Sequence, residues 1–292
     1  MPAFISRRCA LTLAGAALTA SALSSASAAP EADFKTRIGE LEKRSGGRLG
    51  VAVLDTATGH RAGHRVDERF ALCSTFKFLA AAFALARVDR GQERLDRRLV
   101  FSQADLVTYS PVTEKHVGGD GMSVAELCEA AIQLSDNTAG NLLLASFGGP
   151  AGLTGYLRSL GDDVSRLDRI ETELNTAVPG DPRDTTTPEA MLGSMQKLLL
   201  GDVLSQSSRE RLTAWLVGNK TGDARLRAGL PKDWRVGDKT GTGDNGAAND
   251  IAIAWPPGRK PVLISAYFAE SRISAGERNA VLAEVGRIAA GL

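Results

Sequence analysis

Apolar residues follow two different spacings along this chain of 292 residues. Near the amino terminus, residues 49–54 form a short apolar run bounded by glycine and threonine, which is typical of a strand, and the polar residues 60–65 predict an edge strand. Similar runs return towards the carboxyl terminus, each bounded by glycine, proline or asparagine: residues 234–239, 251–255 and 262–268. Both ends of the chain are therefore predicted to contribute strands.

The middle of the chain has a helical pattern. Residues 75–88 are apolar on nearly every face, which predicts a buried helix. Ser123 and Glu126 form the sequence signature of a capping box, so a second helix is predicted to begin there. Further helices are predicted to begin at Thr187-Pro188-Glu189 and at Ser207 with Glu210, and two more near the termini over residues 34–44 and 275–290.

Strands at both ends with helices between them predict an α+β fold. We expect one antiparallel sheet assembled from both termini, with flanking helices and an inserted all-helical domain. The predicted sheet domain comprises residues 29–72 and 220–292, and the predicted helical domain comprises residues 73–219. A cleft is expected where the two parts meet.

The first residues have the pattern of an export signal. Arg7 and Arg8 precede an apolar stretch over residues 10–23, and Ala26-Ser27-Ala28 offers a cleavage site for small residues. Residues 1–28 are therefore predicted to direct export, by either the twin-arginine or the ordinary secretory route, and then to be removed. No later segment has the ~18 uninterrupted apolar residues of a membrane span, so we expect an exported, periplasmic or secreted protein without a membrane anchor.

Charge and composition narrow the range of partners. The chain has 35 lysines and arginines against 34 acids, without long runs of one sign, so binding to nucleic acid is not expected. The three histidines, His60, His64 and His116, form no metal-ligand motif, and no cofactor is expected. Once the signal is removed, only Cys73 and Cys128 remain, which is too few for a disulfide framework.

Ser74-Thr75-Phe76-Lys77 can supply an activated nucleophile. Residues three apart share a face of a helix, so Lys77 is expected beside Ser74. A serine needs a base to take its proton, and a lysine can be that base when burial disfavours its charged form. Ser194 and Lys197 have the same spacing, but no catalytic role is expected for them.

Lys239-Thr240-Gly241 follows a predicted strand. A cation, hydroxyl groups and a backbone freed by glycine suit the binding of a carboxylate along a strand edge. Lys220-Thr221-Gly222 repeats these letters after a predicted helix end, so it is expected to be an ordinary turn and not a second motif of this kind.

Two further motifs stand between these in a fixed order: Ser135-Asp136-Asn137 at a predicted helix junction, and Glu171-Thr172-Glu173-Leu174-Asn175. The complete set resembles class A β-lactamases, serine hydrolases related to penicillin-binding proteins, over nearly the whole mature chain. Three supporting segments agree with the resemblance: residues 109–113, 165–169 and 180–186.

The resemblance implies a role for each position. Ser74 would attack the lactam carbonyl, and the backbone amides of Ser74 and Thr242 would form the oxyanion hole. Glu171 would activate the water that removes the acyl group. Ser135 would transfer a proton, with Lys77 and Lys239 beside it, and Asn175 would help to hold the water.

The resemblance also implies how the substrate is bound. Asn137 would bind its side-chain amide, and Tyr109 would form one wall of the cleft. Its carboxylate would be bound by Lys239, Thr240 and Thr242, with Gly241 completing the K-T-G motif. An Arg169–Asp184 pair would close the loop that carries Glu171.

The sequence departs from the family pattern in two places. The strand after K-T-G lacks the guiding arginine of many relatives, since Ala247 and Ala248 stand there, and the resemblance offers Arg225 instead. Cys73 precedes the nucleophile, as in some broad-spectrum members, but its usual partner position holds Gly243. That disulfide therefore cannot form, and Cys128 also lacks its family partner, so both thiols are expected to be free.

The sequence therefore predicts an enzyme that hydrolyses the β-lactam amide of penicillin-type antibiotics and so confers antibiotic resistance. The expected binding partner is the small-molecule β-lactam, and the protein is expected to be a monomer. A D,D-peptidase would use the same serine and lysine but would lack Glu171, and a penicillin sensor would stop at acylation. Whether Lys77 or Glu171 accepts the proton in acylation stays open, as do the activities on cephalosporins and carbapenems.

Overall fold

The computed structural model describes residues 20–292. Residues 1–19 of the predicted export signal lie outside the described part, and residues 20–28 belong to the first turns of helix α1, Ala20–Ser45. Within residues 20–292, no helix combines the length and the apolar character needed to cross a bilayer.

The central sheet is antiparallel and takes its strands from both ends of the chain, as predicted. Its strands are β1 (Arg48–Asp55), β2 (Arg61–His64), β7 (Arg235–Thr242), β8 (Ala248–Trp255) and β9 (Val262–Ala269), in the spatial order β2-β1-β9-β8-β7. The polar strand β2 lies at one edge, and β7, which carries Lys239, lies at the other.

The sheet separates two hydrophobic cores. Successive residues of a strand point to opposite faces, so Val51 and Val53 of β1 pack on one side while Ala52 and Leu54 pack on the other. The first core, on the side of Val51 and Val53, is covered by α1 and by two helices from the end of the chain, α8 (Leu226–Gly229) and α9 (Ala275–Ala289).

The second core lies among the helices between the strands. These helices are α2 (Phe76–Asp89), α3 (Val124–Gln133), α4 (Asn137–Ser146), α5 (Gly149–Ser159), α6 (Pro188–Leu199) and α7 (Gln206–Val217). Two short antiparallel strand pairs connect distant segments of this part: β3 (Phe70–Ala71) pairs with β6 (Thr185–Thr186), and β4 (Arg98–Leu99) pairs with β5 (Met122–Ser123). Most of α2 is fully buried, in agreement with its apolar pattern.

The local start signals agree with the structure except at α7. The Ser123 hydroxyl accepts a hydrogen bond from the amide of Glu126, so the capping box forms as predicted. The prediction that Ser207 begins α7 is wrong, because Ser205 is the N-cap and its hydroxyl accepts from the amide of Ser208. Ser205 also donates to Asp89 Oδ1 at the end of α2, a contact that Ser207 does not make.

Candidate active site

Ser74 lies in a single 3₁₀ turn, Cys73–Thr75, that leads directly into α2. The amide of Thr75 donates to the carbonyl of Leu72, and the amide of Leu72 donates to Asp184, so the turn is held from both sides. Cys73 has a φ of 43°, in the left-handed region. This backbone places the Ser74 hydroxyl at the mouth of a cavity while most of the residue is buried.

Lys77 follows one turn later on the same face of the helix. Its Nζ lies 3.0 Å from Ser74 Oγ and also donates to the carbonyl oxygen of Ser135 at 2.8 Å and to Asn137 Oδ1 at 2.6 Å. Burial lowers the pKa of Lys77, and the nearby carboxylate of Glu171 partly opposes that shift. These three acceptors, together with Glu171 Oε1 at 2.9 Å, fix the amine beside the serine.

Glu171 reaches the same serine next to Lys77, since its Oε1 lies 2.9 Å from Lys77 Nζ. Ser74 Oγ lies 3.2 Å from Glu171 Oε1, and Asn175 Nδ2 donates to Glu171 Oε2 at 2.5 Å. Asn141 holds the backbone of Glu171 on both sides, because its Oδ1 accepts from the Glu171 amide at 2.8 Å and its Nδ2 donates to the Glu171 carbonyl at 2.9 Å. The carboxylate is therefore oriented by its side chain and by its backbone.

The loop that carries Glu171, residues 169–184, is closed at its base by an ion pair. Arg169 Nε lies 2.5 Å from Asp184 Oδ2, and the Asp184 carboxylate is fully buried. Asp184 Oδ1 also accepts from the backbone amides of Asp168 and Arg169. Arg169 Nη1 donates to Thr176 Oγ1, so one guanidinium joins the loop base to the residues after Asn175.

Ser135 and Lys239 form the second side of the site. Lys239 Nζ donates to Ser135 Oγ at 2.9 Å and to the carbonyl of Thr240 at 2.7 Å. Burial lowers the pKa of Lys239 well below that of an ordinary lysine, and the positive charge of Lys77 lowers it further. Ser135 is thus held by two lysines, Lys239 on its hydroxyl and Lys77 on its backbone carbonyl oxygen.

Arg225 lies behind the end of β7, where it is largely buried. Its Nη2 donates to Thr242 Oγ1 at 2.7 Å, and its Nε donates to Asn279 Oδ1 at 2.9 Å. Burial lowers the pKa of this guanidinium, but arginine stays charged at physiological pH. The end of β7 therefore carries a fixed positive charge.

These residues surround one open cavity of about 350 Å³. Tyr109 is more than half exposed at its rim. The floor and walls come from the nucleophile turn, the α3–α4 junction, the Glu171 loop and the end of β7, and the lining residues are Ser74, Tyr109, Ser135, Asn137, Asn175, Thr221, Arg225, Thr240, Gly241 and Thr242. Lys77, Glu171 and Lys239 lie behind this lining, fully buried or nearly so.

Comparison with known proteins identifies the family. The protein-family model described as the beta-lactamase enzyme family matches residues 33–291 of the chain. The solved structure of an ancestral class A β-lactamase is 68% identical, with a TM-score of 0.86, over 87% of this chain and 98% of that chain. The chain belongs to the class A β-lactamase family.

Curated relatives agree with this β-lactamase assignment. β-Lactamase AST-1 of Nocardia asteroides is 51% identical over 96% of this chain and 91% of its own length. β-Lactamase L2 of Stenotrophomonas maltophilia is 53% identical over 87% of this chain and 84% of its own length. The predicted α+β fold and the predicted activity, hydrolysis of β-lactams leading to antibiotic resistance, are confirmed, and nothing supports the D,D-peptidase or sensor alternative.

The two repeated motifs of this β-lactamase have different outcomes. Ser194 and Lys197 lie on α6, where Ser194 Oγ contacts Asp162 and Lys197 binds the carbonyl of Leu160, away from the cavity. Lys220-Thr221-Gly222 lies in the loop after α7, but Thr221, for which no role was predicted, reaches the site. Its hydroxyl lies 2.5 Å from Thr240 Oγ1 and lines the cavity, because the loop after α7 folds back against β7.

Cys73 and Cys128, the two cysteines among residues 20–292, are both buried and unpaired. Burial raises the pKa of Cys73 to about 12 and also raises that of Cys128, so both remain thiols. Within the described residues, no group of three or more potential ligands from histidine, cysteine, aspartate and glutamate is assembled for a metal ion.

Proposed function

We propose that this β-lactamase opens the lactam ring through an acyl-enzyme on Ser74. The observation that carries the proposal is the position of Ser74 Oγ, 3.0 Å from Lys77 Nζ and 3.2 Å from Glu171 Oε1, at the mouth of the cavity. A serine becomes nucleophilic when a neighbouring base accepts its proton. The proton leaves to the Lys77–Glu171 pair as the oxygen attacks the lactam carbonyl.

The backbone amides of Ser74 and Thr242 then stabilise the oxyanion. Such donors each contribute about 10²–10³ in rate when they point to the place where negative charge develops. As the carbon–nitrogen bond breaks, Ser135 donates its proton to the departing lactam nitrogen, and the proton taken from Ser74 by the Lys77–Glu171 pair is passed on to restore the Ser135 hydroxyl. The contacts of Lys77 and Lys239 with Ser135 support this role, because a neighbouring cation favours loss of a hydroxyl proton.

Deacylation requires a water molecule that attacks the ester, and Glu171 is the proposed base for it. Its Oε2 is held by Asn175 Nδ2, while the Oδ1 atom of Asn175 is buried without a partner within the described chain. A water placed between these two side chains would donate to both oxygens. As this water transfers a proton to Glu171, its oxygen attacks the ester carbonyl. The bond to Ser74 Oγ then breaks, Glu171 returns the proton to Ser74 Oγ, and the opened product leaves.

The end of β7 is proposed to bind the substrate carboxylate. Lys239 and Arg225 supply positive charge there, and Thr240 and Thr242 supply hydroxyls beside Gly241. Across the cavity, we assign the side-chain amide of a penicillin-type substrate to Asn137, and the exposed ring of Tyr109 to the outer wall.

The domain division and the cellular setting belong to the same proposal. Residues 73–219 would form the helical domain that carries the nucleophile, and residues 29–72 with 220–292 would form the sheet domain that carries the carboxylate site. The enzyme would be exported by the signal at residues 1–28 and would act as a monomer in the periplasm or outside the cell.

Substitution of the two serines in S-x-x-K patterns tests the nucleophile. Steady-state hydrolysis of benzylpenicillin is measured for Ser74→Ala and for the matched control Ser194→Ala, after equal unfolding temperatures have been checked. We expect Ser74→Ala to lose at least about 10³-fold in kcat, since covalent catalysis is removed. Retention of activity in Ser74→Ala, or an equal loss in Ser194→Ala, would refute the assignment.

A further inference from the structure

Asn249 connects strand β8 to the segment that precedes the nucleophile turn. It lies in β8 between Gly241 of β7 and Tyr267 of β9, and it is almost completely buried. Its side-chain Nδ2 donates to the carbonyl of Ala71 at 2.9 Å and to the carbonyl of Leu72 at 3.2 Å. These carbonyls directly precede the turn that presents Ser74.

The strand that carries Thr242 packs closely on the same segment. A Cβ atom added at Gly241 would lie 3.0 Å from the carbonyl oxygen of Leu72 and 3.2 Å from both Asn249 Nδ2 and the Cβ of Cys73. Glycine at this position therefore lets β7 approach the turn, and the amide of Asn249 spans the remaining gap. The two backbone amides proposed for the oxyanion hole stand on the two sides of this contact.

Arg225 holds Asn249 from the other side of β7. Its Nη1 donates to the carbonyl oxygens of Asn249 and Gly241, both at 2.7 Å, while its Nη2 binds Thr242 Oγ1. The guanidinium therefore fixes the backbone of β7 and β8 together at this register. Hydrogen bonds from Arg225 and Asn249 therefore link the end of β7 to the segment that precedes the nucleophile turn.

We propose that Asn249 is a positioning residue that sets the spacing between the Ser74 and Thr242 amides. Oxyanion donors act only when they lie about 2.7–3.1 Å from the developing oxygen anion. Thr75 Oγ1 also donates to the Leu72 carbonyl, but Thr75 belongs to the turn itself. Within the described chain, Asn249 is the one residue of the central sheet whose side chain donates to the carbonyls of Ala71 and Leu72, so without its amide the turn can shift relative to β7. This inference rests on the proposed acyl-enzyme at Ser74.

The test removes the donor in two ways. Asn249→Asp keeps the shape of the side chain but replaces its NH₂ group with oxygen, and Asn249→Ala removes the group without adding charge. Ser265→Ala is the control, because Ser265 is an equally buried polar residue of the same sheet whose hydroxyl has no partner. Each variant is measured below its own unfolding temperature for kcat/KM on benzylpenicillin, which reports acylation.

The same substitutions are then combined with Glu171→Gln, in which the acyl-enzyme is expected to persist, and the stretching frequency of its ester carbonyl is recorded by infrared difference spectroscopy. Hydrogen bonds from an oxyanion hole weaken the carbonyl bond and lower this frequency. We expect both Asn249 variants to show a band at higher wavenumber and a fall in kcat/KM of about 10- to 100-fold, the size of effect of an ångström-scale misplacement. Ser265→Ala should change neither.

An unchanged band in folded Asn249 variants would overturn the inference, whether or not kcat/KM falls, because a loss of activity through general destabilisation does not alter the carbonyl. If the aspartate variant fails to fold, the neutral alanine variant decides between the two results. Failure of the proposed function is distinguishable, since Glu171→Gln alone would then form no ester band at all.

Discussion

Lys77 Nζ lies 2.9 Å from Glu171 Oε1, and neither side chain has any exposed surface. Two buried charges of opposite sign satisfy each other, whereas removal of one leaves the other uncompensated. Both groups also contact Ser74 Oγ, so the ion pair is built around the nucleophile. The serine proton has one acceptor in each charge state of the pair: the Glu171 carboxylate while Lys77 is charged, and the Lys77 amine when that residue is neutral. Glu171 also stands ready to activate water once the serine has been acylated.

The Arg169–Asp184 pair is predicted to matter more for deacylation than for acylation. Arg169→Ala leaves the buried Asp184 carboxylate without its cation, and breaking a buried pair costs about 3–5 kcal/mol. Because the pair closes the loop that carries Glu171, the deacylation rate constant should fall at least about tenfold while acylation changes less. Rapid-quench kinetics with benzylpenicillin separates the two steps.

A neighbouring pair supplies the control for that prediction. Arg166 and Asp168 also form an ion pair near the loop, but Arg166 is partly exposed, and water screens such surface pairs so that they contribute little to stability. Arg166→Ala should therefore leave the unfolding temperature and both rate constants almost unchanged. An equal effect of the two substitutions would show that the loop does not depend on the buried pair.

Lys239 is predicted to determine the alkaline limit of activity. Its pKa is lowered well below the usual value of a lysine, so the residue loses its proton, and its attraction for the substrate carboxylate, at a lower pH than an exposed lysine would. The kcat/KM profile should therefore fall as pH rises through that lowered pKa. In Lys239→Arg the guanidinium stays protonated, so the alkaline limb should move to higher pH.

The measurement for Lys239 is the pH profile of kcat/KM for benzylpenicillin in both proteins. Lys239→Arg is expected to be less active, because the planar guanidinium cannot reproduce the single hydrogen bond that Lys239 Nζ donates to Ser135 Oγ. The position of the limb, not the absolute rate, carries the result. An alkaline limb at the same pH in both proteins would assign it to another group.

Two serines at the start of α7 should differ in their effect on stability. Ser205→Ala removes the N-cap of the helix and the contact with Asp89, and loss of such a cap typically costs about 1 kcal/mol. Ser207→Ala should cost less than half of that, because Ser207 lies inside the first turn. Chemical denaturation measures both free energies of unfolding, and the reverse order would contradict the assignment of the cap.

Local patterns in the sequence were sufficient for most elements of the fold. The apolar runs of β1, β8 and β9 and the all-apolar face of α2 are visible without a structure, because burial itself imposes those patterns. The α7 start was misplaced because Ser205 and Ser207 are both suitable caps within a run of serines. The contact that distinguishes Ser205 is with Asp89, more than a hundred residues earlier in the chain.

The motif residues of the site could be found from the sequence, but their supports could not. Asn141, Thr221 and Asn249 are ordinary polar residues in a helix, a loop and a strand, and their partners lie far away in sequence. Thr221 even stands in a repeat of the K-T-G letters that local context assigns to a turn. Only the packing of the loop after α7 against β7 places its hydroxyl beside Thr240.

The most direct test of the central claim is intact-protein mass spectrometry of the mature enzyme with excess benzylpenicillin, followed over time for wild type and Glu171→Ala. Wild type should consume the substrate without lasting modification. The variant should accumulate an adduct of one opened penicillin, located on Ser74 by peptide mapping, because water is no longer activated. A persistent adduct on the wild type, or free turnover by Glu171→Ala, would contradict deacylation through Glu171.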